Sequence, residues 1–121
     1  MTIPAGTRAF RRERGEDGVL VLTLDVPGEK LNTLGKGMIS ELEEIFAVIE
    51  ADPAIKAVVL ISGKPDNFMA GADIKDFTAI RSAMEAETMS REGQRLLDRL
   101  EGLKVPVVIA IHGACVGGGL E

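Results

Sequence analysis

The residues best suited to chemistry close the chain, in the run Val105-Pro106-Val107-Val108-Ile109-Ala110-Ile111-His112-Gly113-Ala114-Cys115-Val116-Gly117-Gly118-Gly119-Leu120-Glu121. The order is an apolar stretch read as a buried strand, a short loop, three glycines, and a carboxylate where a helix starts. A strand-to-helix junction built on glycine leaves backbone N–H groups unpaired, with the positive end of the helix dipole behind them. Such amides suit an anion, or an oxyanion that develops during a reaction. Glu121, three residues beyond Gly118, falls in the same first turn. There it can act as general acid or base, or simply complement the dipole. A second junction, Ala70-Gly71-Ala72-Asp73, follows another apolar strand. If both strands belong to one parallel sheet, their ends open on the same edge, and one N–H from each junction can converge on an acyl or thioester oxygen. The alternative is two tight turns with helix caps, and the residues alone leave both readings open.

The other reactive side chains read as structural. Asp73 is a good N-cap for a short helix, with Gly71 easing the approach to it. His112 stands alone after an apolar strand, without a carboxylate nearby in sequence. Cys115 sits in an apolar, Gly-rich loop with no basic neighbour to form a thiolate, so it reads as a packed thiol. No cluster has metal-ligand spacing, and no dinucleotide or phosphate-loop fingerprint is present.

The elements that must carry these residues alternate between strand and helix. Arg8 to Arg14 alternate weakly, Gly15-Glu16-Asp17-Gly18 is a turn, and Val19 to Leu24 is a nearly continuous apolar strand, giving a hairpin. Asp25 to Lys30 is a loop with Pro27-Gly28 as its turn. Met38, Leu42, Ile45, Phe46 and Ile49 recur in steps of three and four, which is one face of a helix that Asp52-Pro53 ends. Thr33 is one candidate cap for that helix, and a capping box of Ser40 with Glu43 is the other. Ala57 to Ser62 is a fully buried strand. Met84 to Glu101 is a long helix with Met89, Gly93, Leu96, Leu97 and Leu100 on its apolar face and Gly102 as its stop. Pro106 opens the last strand, where a missing N–H costs least. This order predicts an α/β chain with a mostly parallel sheet, in a single domain. Glu121 lies in the first turn of an element that needs a partner, so the sequence reads as a piece of a larger protein.

Composition narrows the function classes. A net charge of −5 argues against a nucleic-acid or anionic-membrane surface, though local lysines can still hold a small polyanion. Trp and Tyr are absent, which removes the usual platforms for stacking bases. No apolar run approaches the ~18–20 residues of a membrane span, and Met1 to Arg14 has no apolar core of a secretory signal. One cysteine excludes an internal disulfide and fits a reducing compartment, with the cytoplasm as the expected location.

Two stretches, Phe68-Met69-Ala70-Gly71-Ala72-Asp73-Ile74 and Ile111 to Glu121, resemble the paired signatures of the enoyl-CoA hydratase/isomerase (crotonase) superfamily. Val26-Pro27-Gly28-Glu29-Lys30-Leu31-Asn32-Thr33-Leu34 and Lys64-Pro65-Asp66-Asn67-Phe68 resemble, within it, the N-terminal hydratase region of multifunctional β-oxidation alpha subunits. The resemblance covers nearly everything from Gly18 onward. It implies a crotonase-like spiral of ββα units, left incomplete after residue 121. It implies that the Ala72 and Gly118 amides hold the thioester oxygen of an enoyl-CoA, and that Glu121 is the first of two catalytic glutamates. Lys30, Leu31, Ala70, Gly71, Asp73 and Ile74 would border the coenzyme A moiety, with Lys30 a candidate for its phosphates. The second glutamate, the rest of the acyl pocket and an NAD-binding dehydrogenase region would lie further along a longer chain. A thiolase beta subunit is the implied partner, and a homo-oligomer is compatible with the pattern. The alternatives are another crotonase, such as an enoyl-CoA isomerase, or a non-catalytic acyl-CoA-binding module.

Overall fold

The structure, a computed structural model, describes residues 8–121. The first half of the charged N-terminal stretch therefore lies outside the described residues. Strand β1 (Phe10–Arg14) and strand β2 (Val19–Leu24) form the expected antiparallel hairpin, with Phe10 opposite Leu24 and Arg14 opposite Leu20. Helix α1 (Lys36–Ala51) then crosses to strand β3 (Ala57–Ser62), which lies parallel to β2 with Val19 opposite Ala57. Strand β4 (Asn67–Met69), the short helix α2 (Ile74–Phe77) and the long helix α3 (Ala83–Glu101) follow. Strand β5 (Val107–Ala110) returns parallel to β3, so the main sheet runs β1-β2-β3-β5. Strand β6 (Ala114–Cys115) pairs in parallel with β4 in a second, two-stranded sheet, and a 3-10 turn at Gly117–Gly119 follows.

One apolar cluster joins these layers. β2 contributes Leu20, Leu22 and Leu24, and α1 contributes the periodic face read from the sequence, all buried. Phe68 of β4 and Val58 of β3 complete it, and each is 2% exposed. Removing such side chains from water drives the fold at about 25 cal/mol per Å² of apolar surface.

Several expectations are corrected. Helix α1 starts neither on Thr33 nor on a Ser40–Glu43 box: its N-cap is Gly35, with no side-chain bond of its own. The free Lys36 N–H is met instead by Asp76 of α2 at 3.1 Å, a tertiary cap that local sequence does not encode. The last strand is not buried, since Val108 is 57% exposed; β5 is the edge of the sheet and has only β3 as a neighbour. β3 is likewise only partly buried, although β2 and β5 flank it. On α3, Leu96 alone of the predicted face is fully buried; Met89, Gly93, Leu97 and Leu100 are half-buried and line a cavity, with Leu100 also packed against the core. Gly102 does end α3, but at φ −80°, so no left-handed cap is formed.

Candidate active site

The two glycine junctions do meet, though on a different frame from the one expected. They follow β4 and β6, the strands of the small parallel sheet, rather than neighbouring strands of the main one. Pairing of Asn67 with Ala114 and of Met69 with Cys115 brings the two chain directions side by side. Val116 N then donates to Met69 O at 3.1 Å, which ties the junctions where they turn away from the sheet. The approach is close: a Cβ added to Gly117 would lie 3.2 Å from the Gly71 Cα.

The Ala72 amide owes its freedom to a bulge. Residues 32–34 run beside residues 70–73 as a short parallel rung, Leu34 facing Ala72. Ala70 N donates to Asn32 O, Leu34 N to Gly71 O, and Asp73 N to Leu34 O, at 2.8, 2.8 and 2.9 Å. Two residues on one side are thus matched by three on the other, and the extra one falls at Gly71, whose φ is +95°. Without that bulge the Leu34 carbonyl would receive the N–H of Ala72. With it, Asp73 takes the bond, and among the described residues the Ala72 N–H has no acceptor.

The second junction leaves a similar vacancy. Within the turn, Gly119 N donates to Val116 O and Leu120 N to Gly117 O, both at 3.0 Å, and Glu121 N reaches Gly117 O at 3.4 Å. These bonds start a helical turn at Gly117, whose φ of +57° allows the sharp entry. The first N–H groups of such a turn have no intrahelical partner, and Gly118 N has none among the described residues. Ala72, Gly118, Gly119 and Glu121 all line one largely apolar cavity of about 620 Å³, roofed by α1 and α3. Amides in such surroundings interact with developing charge more strongly than they would in water.

The remaining predicted site residues lie beside this cavity, not on its wall. Lys30 and Leu31 are exposed, Leu31 at 45%. Ala70 and Gly71 are engaged in the bulge through backbone bonds. Asp73 caps α2 by accepting from Lys75 N at 3.0 Å, and Ile74 is 74% exposed. Lys75 pairs with Glu29 at 3.7 Å, so the loop carrying Lys30 and the start of α2 are neighbours. His112 has the structural place expected of it, its Nε2 lying 2.6 Å from Lys64 O. Cys115 donates from Sγ to Gly119 O at 3.4 Å, inside the same turn. No group of acidic, His or Cys side chains among the described residues could hold a metal.

Sequence reasoning missed the polar cluster behind the bulge. Asn32 and Asn67 are almost fully inaccessible, at 0% and 1%, and Ser62 is buried with them. Lys64, with 11% of its side chain exposed, donates to Val26 O and Glu29 O at 2.7 and 2.6 Å and pairs with Asp25 at 2.6 Å. It holds the loop between β2 and α1 against the end of β3. Short polar residues at strand ends carry no periodic signal, and nothing in the local sequence marks them as buried.

An open, mostly parallel α/β sheet in ββα order, with two glycine junctions converging on an apolar cavity, defines a crotonase-type chain. A family model described as enoyl-CoA hydratase/isomerase matches residues 14–121, and the chain belongs to that family. Among curated relatives, the fatty acid oxidation complex subunit alpha of Shewanella sp. (strain W3-18-1) is 51% identical over 114 residues, which are 94% of this chain and 16% of that protein. The protein of the same name from Idiomarina loihiensis is 50% identical, with the same coverage. The chain therefore spans 16% of the length of these relatives. Among solved structures, an enoyl-CoA hydratase/carnithine racemase from Magnetospirillum magneticum superposes with a TM-score of 0.83 at 34% identity, covering 95% of this chain and 43% of that one. An enoyl-CoA hydratase from Mycobacterium smegmatis gives 0.81 at 29% identity, covering 90% and 42%.

Proposed function

We propose that this chain supplies the thioester-holding part, and one acid/base group, of an enoyl-CoA hydratase acting in fatty acid oxidation. The observation that carries the reading is the pair of unpartnered amides, Ala72 and Gly118, on the cavity that Glu121 also lines. The substrate would be a trans-2-enoyl-CoA, its thioester oxygen accepting from both amides. Water adds through its oxygen at C3, electrons shift toward the thioester oxygen, and the two N–H groups stabilise the enolate. A proton delivered to C2 completes 3-hydroxyacyl-CoA. Glu121 serves as one of the two groups that take the proton from water and deliver one to C2. The second lies, on this reading, beyond residue 121, so residues 1–121 alone should not turn over. Lys30, Leu31, Ala70, Gly71, Asp73 and Ile74 would flank coenzyme A where it leaves the cavity. An NAD-dependent dehydrogenase region and a thiolase beta subunit belong to the same reading of the longer protein.

The test follows the loss of enoyl-thioester absorbance in the natural full-length protein. Glu121→Gln keeps the shape of the side chain but ends proton exchange, and general acid/base groups contribute roughly 10²–10⁴-fold. Turnover should fall by at least about 100-fold with affinity for coenzyme A little changed. Gly118→Pro removes one oxyanion donor, a loss that costs about 10²–10³-fold in kcat. Replacing the Gly117–Gly118 amide by an ester deletes the same N–H without a ring, and controls for strain. Near-normal turnover in folded variants of both kinds would refute the assignment.

A further inference from the structure

The free amide of Ala72 depends on where the bulge at Gly71 sits, and at the start of that rung lies a residue that does not line the cavity. Asn32 is wholly buried. Its Oδ1 accepts from Val26 N at 3.0 Å, and its two Nδ2 hydrogens are shared among Leu24 O, Ser62 Oγ and Phe68 O at 3.1, 2.9 and 3.0 Å. Its own N–H donates to Asn67 Oδ1 at 3.0 Å. The amide orientation is fixed by these partners, because an N–H faces the oxygen and carbonyls face the nitrogen. Leu24 ends β2, Ser62 ends β3, and Phe68 lies within β4, so one side chain gathers three strands. The cluster closes on itself, with Ser62 Oγ donating to Asn67 O at 2.6 Å and accepting from Lys64 N at 3.0 Å. No buried side-chain nitrogen or oxygen among the described residues is left without a partner.

We infer that Asn32 is a positioning residue for the Ala72 amide, an inference that rests on the reading of Ala72 as an oxyanion donor. The backbone carbonyl of Asn32 accepts from Ala70 N at 2.8 Å, the first bond of the bulge. The side chain fixes that carbonyl relative to Phe68, two residues before Ala70 on the opposite strand. Asn32 thus holds both sides of the rung at its start, and the rest of the rung sets which N–H at its far end stays free. A shift of up to about 1 Å at residue 32 would turn the Ala72 N–H away from the oxyanion. Hydrogen-bond strength falls steeply with such misalignment.

Asn32→Asp preserves the shape and the acceptor for Val26 N, and withholds the hydrogens from Leu24 O and Phe68 O. Ser62→Ala is the milder second variant, removing one of the three acceptors and leaving Asn32 in place. Both are made in the natural full-length protein. They are compared with wild type by circular dichroism, by hydration kinetics, and by the infrared stretch of a carbonyl-labelled saturated acyl-CoA, which binds without reacting. In folded protein, kcat should drop by about 10- to 100-fold, since misplacement by about 1 Å costs up to about 10²-fold, while KM stays within about threefold. The bound carbonyl stretch should move to higher frequency, reporting weaker hydrogen bonding. If Asn32→Asp does not fold, Ser62→Ala decides by the same readouts. A folded variant with wild-type kcat and carbonyl stretch overturns the inference, as does a rate loss that only tracks the unfolded fraction. If Gly118→Pro and Glu121→Gln are inactive while these two variants are normal, the hydratase reading stands and the role of Asn32 falls. If Gly118→Pro and Glu121→Gln are themselves normal, the parent reading fails.

Discussion

A Cβ on Gly113 would overlap the Asp66 carbonyl oxygen, and the backbone there has φ +63°, so glycine is required between β5 and β6. Gly113→Ala should cost at least about 2 kcal/mol, from backbone strain of about 1–3 kcal/mol together with the clash. A shift in the urea midpoint would measure it, and an unshifted midpoint would mean the loop has room to move. Nothing in the sequence singled out Gly113, whereas Gly71 and Gly117 were visible because glycines after apolar runs are a strong signal. Glu121 was visible for the same reason, as the first charge after them. Asn32, Asn67, Ser62 and Lys64 were not, because their burial comes from three strand ends meeting, a property of the fold and not of their neighbours. The bulge itself was only half legible. Gly71 announces an unusual backbone, but the register that frees Ala72 depends on residues 32–34, nearly forty positions earlier.

At the scale of elements, α3 and the end of α1 were read at nearly their observed limits, since nineteen and sixteen residues carry several turns of periodicity, while the start of α1 was not. β4 and β6 were missed because three and two residues cannot show alternation, although these strands place both junctions. The contact between the long helices was also out of reach of sequence. Arg99 of α3 grips Glu50 of α1 with two bonds, at 3.0 and 3.2 Å, and its guanidinium lies 5.8 Å from the centre of the Phe46 ring. The hydrogen bond from Arg99, reinforced by its charge, holds the Glu50 carboxyl below the ordinary glutamate range. A carboxyl depressed in the folded state adds stability above its unfolded value, and that increment is lost as pH falls through the folded one. Wild type should therefore melt slightly higher than Glu50→Gln at neutral pH, and the two should converge in strong acid. The effect is small because the pair faces solvent and is screened by salt. Melting curves at both pH values check it, and a difference that persists in acid would remove Glu50 ionisation as its cause.

Across the whole molecule, the apolar cluster and the cavity share walls, so stability and chemistry are coupled in some places and separable in others. Ile45 is 1% exposed on the buried face of α1 and does not line the cavity. Phe68 is 2% exposed, lines the cavity, belongs to β4, and offers its carbonyl to Asn32. Truncating either removes a large core side chain, at about 2–5 kcal/mol for isoleucine and about 3–5 kcal/mol for phenylalanine. Ile45→Ala should lower the denaturation midpoint while leaving kcat of the folded fraction unchanged. Phe68→Ala should lower both, because the space it vacates lets β4 settle away from β6 and moves Ala72 relative to Gly118. Turnover assayed well below both midpoints, beside urea titrations of the same samples, separates the two effects. Equal losses of kcat in the two variants would mean that the sheet transmits any core defect to the site, and that the second sheet is not the independent frame its pairing suggests. A selective loss in Phe68→Ala would tie the convergence of the two amides to β4, the strand that no sequence pattern revealed.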